Sequence, residues 1–205
     1  MFALVDAALL LLSPPKCAAC DRRLAVDAAL CAACVSTLEP SPSLPDGITA
    51  SFAYGGALSE AIHRFKYGGR EELARPLGRL IVEGLPDPLD LDVIAPVPLH
   101  VARLRKRGFD QATLLAYAVA KALARPLLVD LLDRIVDTPQ LAHLDRAARA
   151  QAVTAAFRAR PASGLRVLLV DDVRTTGATL DAATTVLAAA GAVVTAHVLA
   201  ATPRE

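Results

Sequence analysis

Aromatic residues and net charge are both scarce in this chain. Phe, Trp and Tyr make up 4% of the 205 residues, and Trp is absent. Platforms on which nucleic-acid bases could stack are therefore few. The formal net charge of +1 argues against a surface built entirely for nucleic acid and leaves only local basic patches to consider. Because 54% of the residues are apolar, we expect one full core with one small appendage.

Apolar runs long enough to cross a membrane are missing as well. The N-terminal run Ala7–Leu12 stops at Ser13, whereas a membrane-spanning helix needs about 20 residues. A secretory signal is disfavoured because no positive residues precede the run and Asp6 adjoins it. We expect an amphipathic N-terminal helix, no membrane span and a cytoplasmic protein. The apolar positions of that helix are Phe2, Val5, Leu9 and Leu12.

The sequence also lacks a legible catalytic dyad or triad. Its four histidines are scattered, and no Ser-His-Asp or Cys-His arrangement can be read from them. A hydrolase is therefore disfavoured. We expect the histidines to lie at the surface or the edge of the core, and only His100 falls beside a candidate site. They are His63, His100, His143 and His197.

All four cysteines fall between residues 17 and 34, in two CAAC motifs separated by ten residues. Each pair can hold one ion from a tight turn, and zinc favours four thiolates in tetrahedral geometry. Two disulfides or redox-active dithiols are the alternatives, although a cytoplasmic setting disfavours the former. Four thiolates leave no open position for water, so the predicted zinc is structural. Its ligands are Cys17, Cys20, Cys31 and Cys34.

A Pro- and Ser-rich stretch, EPSPSLPDG, follows this cluster. Its composition is typical of an exposed linker. We therefore predict an N-terminal helix and double CxxC module over residues 1–39, a linker over 40–47 and the main domain over 48–205.

Strand-like and helix-like stretches alternate in the main domain. The strand-like stretches are ITASFAY, DVIAPVPLH, LLVDLLDRIV, RVLLVDD and VVTAHVLAAT. The helix-like stretches are ALSEAIHRFKYGG, EELARPLGRLIVEGL, DQATLLAYAVAKALA and GATLDAATTVLAAAG. Alternation of this kind, with strands apolar throughout, predicts an α/β fold in which helices cover both faces of a parallel sheet.

The stretch LLVDDVRTTGATL places two carboxylates beside a turn suited to an anion. Residues Thr175–Thr179 lead into a helix, so their backbone N–H groups and hydroxyls can surround a phosphate. Asp171 and Asp172, at the strand tip, can accept hydrogen bonds from sugar hydroxyls and recruit a divalent cation. A phosphorylated ribose would satisfy both halves. The alternative is an ordinary helix cap beside solvated aspartates, and Arg174 is either a ligand contact or exposed.

A basic segment, VARLRKRGF, follows the strand DVIAPVP and is predicted to be a loop. Its cations suit a polyanion such as pyrophosphate, although a solvated charge run or a nucleic-acid contact would have the same composition. Those cations are Arg103, Arg105, Lys106 and Arg107. Lys66 and Arg70 are secondary candidates for anion contact.

Several motifs occur in a fixed order along the chain. They are the CxxC pairs, AYGGALSEAIHRFKYGG, DVIAPVPLH, RLRKRGFDQA, TPQ at Thr138–Gln140, AAF at Ala155–Phe157 and VLLVDDVRTTGATL. The last resembles the phosphoribosyl pyrophosphate signature of type I phosphoribosyltransferases. From about Cys17 to Thr202, the order resembles the ComF family, a phosphoribosyltransferase-like domain with an N-terminal zinc module. Two departures stand out: Asp110 and Ala152 replace residues that are usually Asn in that family.

The resemblance implies a site for phosphoribosyl pyrophosphate with magnesium. Asp171 and Asp172 would hold the ribose hydroxyls, Thr175–Thr179 the 5-phosphate and Val97–Leu99 the pyrophosphate, with the basic segment as a mobile lid. The implied binding residues are Val97, Pro98, Leu99, Asp171, Asp172, Val173, Arg174, Thr175, Thr176, Gly177, Ala178 and Thr179. The implied catalytic residues are Asp171, Asp172, Arg105, Lys106 and Arg107.

Three functions agree with these patterns. The first is transfer of phosphoribosyl to an acceptor. The second is sensing of phosphoribosyl pyrophosphate or a nucleotide without turnover. The third is binding of single-stranded DNA or DNA-uptake proteins by the zinc module and basic segment, since the family is associated with competence.

Overall fold

The computed structural model describes residues 15–24, 28–44, 47–136 and 154–202. The expected N-terminal helix, the TPQ segment and Ala152 lie outside these residues. None of the helices in the described ranges is both long and apolar enough to span a bilayer.

Six strands and six α-helices make up the described chain. The strands are β1 (Ile48–Ala53), β2 (Val93–Pro96), β3 (Leu132–Arg134), β4 (Phe157–Ala159), β5 (Arg166–Arg174) and β6 (Val193–Ala201). The helices are α1 (Ala32–Val35), α2 (Gly56–Tyr67), α3 (Ala74–Glu83), α4 (Val101–Arg107), α5 (Gln111–Leu123) and α6 (Ala178–Ala189), with a 3-10 turn at Glu71–Leu73.

Four strands form one parallel sheet in the order β1-β6-β5-β2. In the register of this sheet, Val170 lies opposite His197 on one side and opposite Pro96 on the other. The carboxyl ends of β2 and β5 therefore lie side by side at one edge. Ligands of open parallel sheets bind at this edge.

Helices cover both faces of the sheet. Successive residues of β5 point to opposite faces, and each set of side chains is buried against helices on its own side. Leu168 and Val170 pack with Phe65 and Leu115 in the core on one face. Leu169 belongs to the core on the other face, together with Leu180 and Leu187 of α6 and with Phe157 of β4. The predicted parallel sheet flanked by helices is confirmed.

The cysteine module packs directly on the main domain. Cys17, Ala18 and Leu30 belong to the same buried cluster as Leu58 and Ile62 of α2. Apolar contact thus extends across the predicted linker, and the domain boundaries stay predictions.

Polar contacts reinforce this packing. The Asp21 carboxylate accepts hydrogen bonds from Arg64 and Arg70 of the main domain. Behind it, the Thr37 hydroxyl accepts the N–H of Ala57 at the start of α2. The module is therefore fastened to α2 at both ends of that helix.

One local prediction is wrong, and another is confirmed only in part. The basic segment is helix α4, which begins where His100 Nδ1 accepts the Ala102 N–H and ends at Gly108, whose φ is 86°. Its last turn carries Arg105, Lys106 and Arg107, and cations at a helix C-terminus interact favourably with the helix dipole. The stretch LLVDLLDRIV contributes only β3, which pairs antiparallel with β4 outside the main sheet.

His197 lies in the core of the sheet, not at its edge. The side chain is fully buried on β6, its Nδ1 lies 2.7 Å from Thr49 Oγ1, and its Nε2 lies 2.9 Å from Ser51 Oγ. Burial lowers the pKa of His197 to about 4. The residue is therefore a neutral member of a polar network between β6 and β1, as a structural histidine would be.

Candidate functional site

A cavity of about 300 Å³ lies at the carboxyl ends of β2 and β5. The structure brings together there every predicted residue of the strand tip, of the turn into α6 and of the turn after β2. These residues are Asp171, Asp172, Val173, Arg174, Thr175, Thr176, Gly177, Ala178, Thr179, Val97, Pro98 and Leu99. Sequence segments more than 70 residues apart thus form one concave surface.

The two aspartates at this edge are stabilised in different ways. Asp172 is 6% exposed, and Lys66 Nζ of α2 lies 2.9 Å from its Oδ2. Asp171 Oδ1 accepts the N–H of Asp172 at 2.8 Å. Burial, and next the neighbouring Asp172 charge, raise the pKa of Asp171 well above its usual range. Two adjacent carboxyls are tolerated because one is ion-paired and the protonated form of the other is favoured.

Hydrogen bonds from Thr202, the residue after β6, fix the backbone of the turn into α6. Thr202 donates its N–H to the Arg174 carbonyl at 2.9 Å and its hydroxyl to the Thr175 carbonyl at 3.0 Å. Gly177, with φ of 88°, then reverses the chain into the helix. This arrangement leaves the first N–H groups of α6 directed toward the cavity, where they can bind an anion.

Arg174 is buried, so an exposed position is excluded. Its side chain has no exposed surface, and its Nε and both Nη atoms lack a hydrogen-bond partner among the described residues. The carboxylate of Asp181 Oδ1 lies 3.7 Å from Nη2, which is beyond hydrogen-bonding distance.

The opposite wall is the turn after β2, and Asp110 fixes its shape. Val97 extends the ladder by donating its N–H to the Val170 carbonyl at 2.9 Å. Asp110 Oδ2 then accepts the Leu99 N–H at 2.9 Å, while Oδ1 accepts the Thr113 N–H at 3.2 Å and caps α5. The two N–H groups bind different oxygens of Asp110, and an Asn in the same position would turn its NH2, which is a donor, toward one of them. Burial raises the pKa of Asp110.

The basic residues of α4 line two adjoining cavities: Arg103 and Arg107 line both, and Lys106 lines only the second. Arg103 and Arg107 line the first, and Arg107 donates to Gln111 Oε1 at 2.7 Å and to the Tyr67 hydroxyl at 3.1 Å. A second cavity of about 410 Å³ adjoins it. Its lining residues are Lys66, Tyr67, Gly69, Arg103, Lys106 and Arg107. Arg105 lines neither cavity, so its predicted role has no support from its position.

The four cysteine sulfurs lie within 4.8 Å of one another, and Cys20 Sγ is 3.7 Å from Cys31 Sγ. Zinc–thiolate bonds of about 2.3 Å in a tetrahedron place sulfurs about 3.8 Å apart, so the cluster has the size that such an ion requires. Burial and the neighbouring thiols raise the pKa of Cys34. Four thiolates at this separation need a cation, and the cluster could hold a metal ion such as zinc.

Known proteins are similar to this chain over most of its length. The DNA utilization protein YhgH of Salmonella typhi is 32% identical over 185 residues, or 80% of each chain. Competence protein F of Haemophilus influenzae is 33% identical over 177 residues, or 82% of this chain and 76% of its own. The chain belongs to the ComF family. Competence protein ComFC of Bacillus subtilis is 28% identical over 133 residues, or 63% of this chain and 52% of its own.

No family model matches this ComF-family chain. Among solved structures, the glutamine phosphoribosylpyrophosphate amidotransferase of Bacillus subtilis, complexed with ADP and GMP, is 22% identical with a TM-score of 0.48. The match covers 66% of this chain and 30% of the amidotransferase, so the ComF-family chain spans less than a third of that protein.

Three lining residues with polar side chains were not predicted as site residues of the ComF-family cavity. Gln111 is the first residue of α5 and is 2% exposed, and its position beside the Asp110 cap was the available signal. Arg134, whose Cζ lies 5.3 Å from the centre of the Phe157 ring, reaches the cavity only because β3 pairs with a distant segment. Tyr54 follows β1, and no spacing singles it out.

Proposed function

We propose that this ComF-family protein binds phosphoribosyl pyrophosphate together with magnesium at the strand-end cavity and transfers the phosphoribosyl group to an acceptor. The observation that carries the proposal is the convergence of the aspartate pair, the turn into α6 and the turn after β2 on one cavity. Each element suits a different part of the ligand. The four-cysteine cluster, which lies outside this cavity, would hold structural zinc.

The aspartates would recognise the sugar. Carboxylate oxygens accept hydrogen bonds from a diol, and Lys66, already 2.9 Å from Asp172, orients one of the two groups. The 5-phosphate would lie in the turn Thr175–Thr179, among backbone N–H groups and hydroxyls. The ribose would therefore lie across the tip of β5 with its two ends bound by neighbouring segments.

Magnesium fits the same donor set. This ion is commonly held by one or two carboxylates together with substrate phosphates. The carboxyl groups of Asp171 and Asp172 line the cavity, and a cation bound between them would favour the ionised form of both. In the described part of the chain, the cysteine cluster is the only group of three or more residues that could hold a metal without help from a ligand. When bound, magnesium would supply charge neutralisation to the leaving pyrophosphate.

The transfer reaction matches what the site offers. The C1–oxygen bond to pyrophosphate breaks, the bond from C1 to the acceptor forms, and the acceptor loses a proton. Such a reaction depends on placing the sugar and neutralising the leaving group more than on a strong base. Arg103 and Arg107 line the cavity and would meet the pyrophosphate beyond the Val97–Leu99 turn.

Calorimetry with magnesium and phosphoribosyl pyrophosphate tests the binding step. We expect saturable binding by the wild type, and its loss in the doubly substituted Asp171→Asn, Asp172→Asn protein with the fold unchanged. Arg160→Met, which alters an exposed ion pair with Asp130, is the matched control and should bind normally. Undiminished binding by the double variant would refute the site.

A pyrophosphate-release assay with pooled amine and base acceptors tests transfer. Release above the acceptor-free background, dependent on magnesium, is the expected result. Binding without release from any acceptor would instead identify a sensor of the sugar phosphate.

Single-stranded DNA binding is the second candidate, and the second cavity favours it. Four of its lining residues are cations, and Tyr67 is 62% exposed beneath the Arg107 guanidinium, whose Cζ lies 5.0 Å from the ring centre. Cations contact a phosphate backbone, and an exposed aromatic ring can stack on a base. The relatives are named for DNA utilization and competence.

Fluorescence anisotropy with a labelled oligonucleotide tests this candidate. Affinity should fall steeply with salt concentration and should be reduced when Lys106 and Tyr67 are changed to Ala. Salt-independent affinity, or affinity unaffected by both changes, would exclude the second cavity as a DNA site.

A further inference from the structure

Arg174 is a buried cation whose donors are unmatched. The side chain is fully shielded from solvent, and Nε, Nη1 and Nη2 all lack a hydrogen-bond partner within the described ranges. A buried ionised group without partners is costly, as is every buried donor left unsatisfied. An arginine at position 174 therefore calls for a hydrogen-bonding anion that the described residues do not supply.

The guanidinium lies directly against the turn into α6. A Cβ added to Gly177 would come within 2.8 Å of Arg174 Nε and closer still to Cζ and Nη2. Gly177 is thus needed both for its φ of 88° and for the room it leaves to the guanidinium. The positive charge lies beneath the same backbone N–H groups that begin α6, and Arg174 lines the cavity.

Asp181 is the one carboxylate described near this charge. Its Oδ1 lies 3.7 Å from Nη2 and its side chain is 49% exposed, so water screens it and no hydrogen bond forms. Asp181 is in the first turn of α6 and would compete weakly with an anion bound at the helix N-terminus.

We propose that Arg174 provides a buried counter-charge beneath the turn Thr175–Thr179 and makes the site selective for a doubly charged phosphate monoester. This deepens the proposed function, on which it rests for the identity of the ligand. Helix N-terminal N–H groups alone present about half a positive charge, which suits a singly charged group. A fixed guanidinium next to them adds a full charge in a region of low dielectric, where its attraction for a dianion is weakly screened.

Arg174→Met separates this role from a structural one, because the two roles predict changes of opposite sign in the melting temperature of the ligand-free protein. If Arg174 is a counter-charge awaiting an anion, removing it relieves a buried charge that has no hydrogen-bond partner, and the melting temperature of the ligand-free protein should stay the same or rise. Affinity for ribose 5-phosphate and for inorganic phosphate should fall at least about tenfold. Arg160→Met should leave both affinities unchanged.

The charge preference is tested with a matched pair of ligands. The wild type should prefer ribose 5-phosphate over its phosphate methyl ester, which carries one charge fewer, and this preference should shrink several-fold in Arg174→Met. Asp181→Asn, at an exposed position that does not endanger folding, should strengthen phosphate binding in the wild-type background and have less effect when Arg174 is absent. An equal gain in both backgrounds would indicate general charge repulsion and count against the proposal.

Three results would overturn the inference. They are unchanged phosphate affinity in Arg174→Met, a lowered melting temperature of that ligand-free variant, and an unaltered preference between the two ligands. The outcome also separates this inference from the proposed function. Phosphate binding that depends on Arg174 but gains nothing from an attached ribose would leave the counter-charge standing and reject the sugar site. If ribose 5-phosphate binds equally well without Arg174, the sugar site is supported and the counter-charge is rejected.

Discussion

Replacing Lys66 by Met should destabilise the protein because it leaves the Asp172 carboxylate without its ion-pair partner. The Lys66 ammonium is 2.9 Å from Asp172, and the two side chains are 19% and 9% exposed. Without the lysine, the Asp172 carboxylate remains nearly buried beside Asp171 with no opposite charge. Breaking a buried pair costs about 3–5 kcal/mol. Because Lys66 retains some contact with solvent, which screens the pair, we expect roughly 2 kcal/mol.

Urea unfolding at pH 7 measures this cost. It corresponds to a melting temperature lowered by roughly 4–8 °C. Asp172→Asn in the Lys66→Met background should restore most of the stability, which a double-mutant cycle would report as coupling. A penalty that Asp172→Asn does not relieve would refute the electrostatic account.

Two other perturbations test the module and the sheet. Asp21→Asn removes the charge that pairs with Arg64 and Arg70. A chelator should therefore extract metal from the cysteine cluster of this variant several-fold faster than from the wild type. Equal rates would show that these ion pairs do not hold the module on the main domain. His197 has a pKa near 4 in the fold, below the usual value of about 6.5, so the stability it contributes is present above pH 6.5 and is lost as pH falls toward 4, by up to roughly 3 kcal/mol. His197→Gln should flatten the dependence of urea unfolding on pH over that interval, and an unchanged slope would assign the dependence to other groups.

The parallel sheet and the two turns of the site could be predicted from local patterns. β5 is apolar over the four residues 167–170 and then carries Asp171 and Asp172, so the strand and its functional tip are adjacent in the sequence. Helix α4 was missed because its charged residues hide the periodicity: Val101 and Leu104 are the apolar positions, and both are exposed, at 49% and 37%. Its capping residues, His100 and Gly108, carried the signal instead.

The other features of the site depend on contacts between residues that are far apart in the sequence, and local patterns did not predict them. The burial of Arg174 depends on its packing against Gly177, and a sequence motif assigns a residue to the turn without stating which way its side chain points. Asp110 was noticed only as a departure from the family. Its two hydrogen bonds, to Leu99 and Thr113, join the end of β2 to α5, a relation that becomes visible once both elements are placed.

The shared packing of the cysteine module and α2 bears on how the protein can be produced and trimmed. Leu58 and Ile62 are covered in part by Cys17 and Leu30, so a chain shortened to begin at Ile48 would expose an apolar patch on the outer side of α2. Such patches promote aggregation. If the cysteine cluster holds zinc, as proposed, starving cells of zinc during expression should have the same effect as truncation. Metal supply would then set the yield of the entire protein, including the main domain, which contains no cysteine.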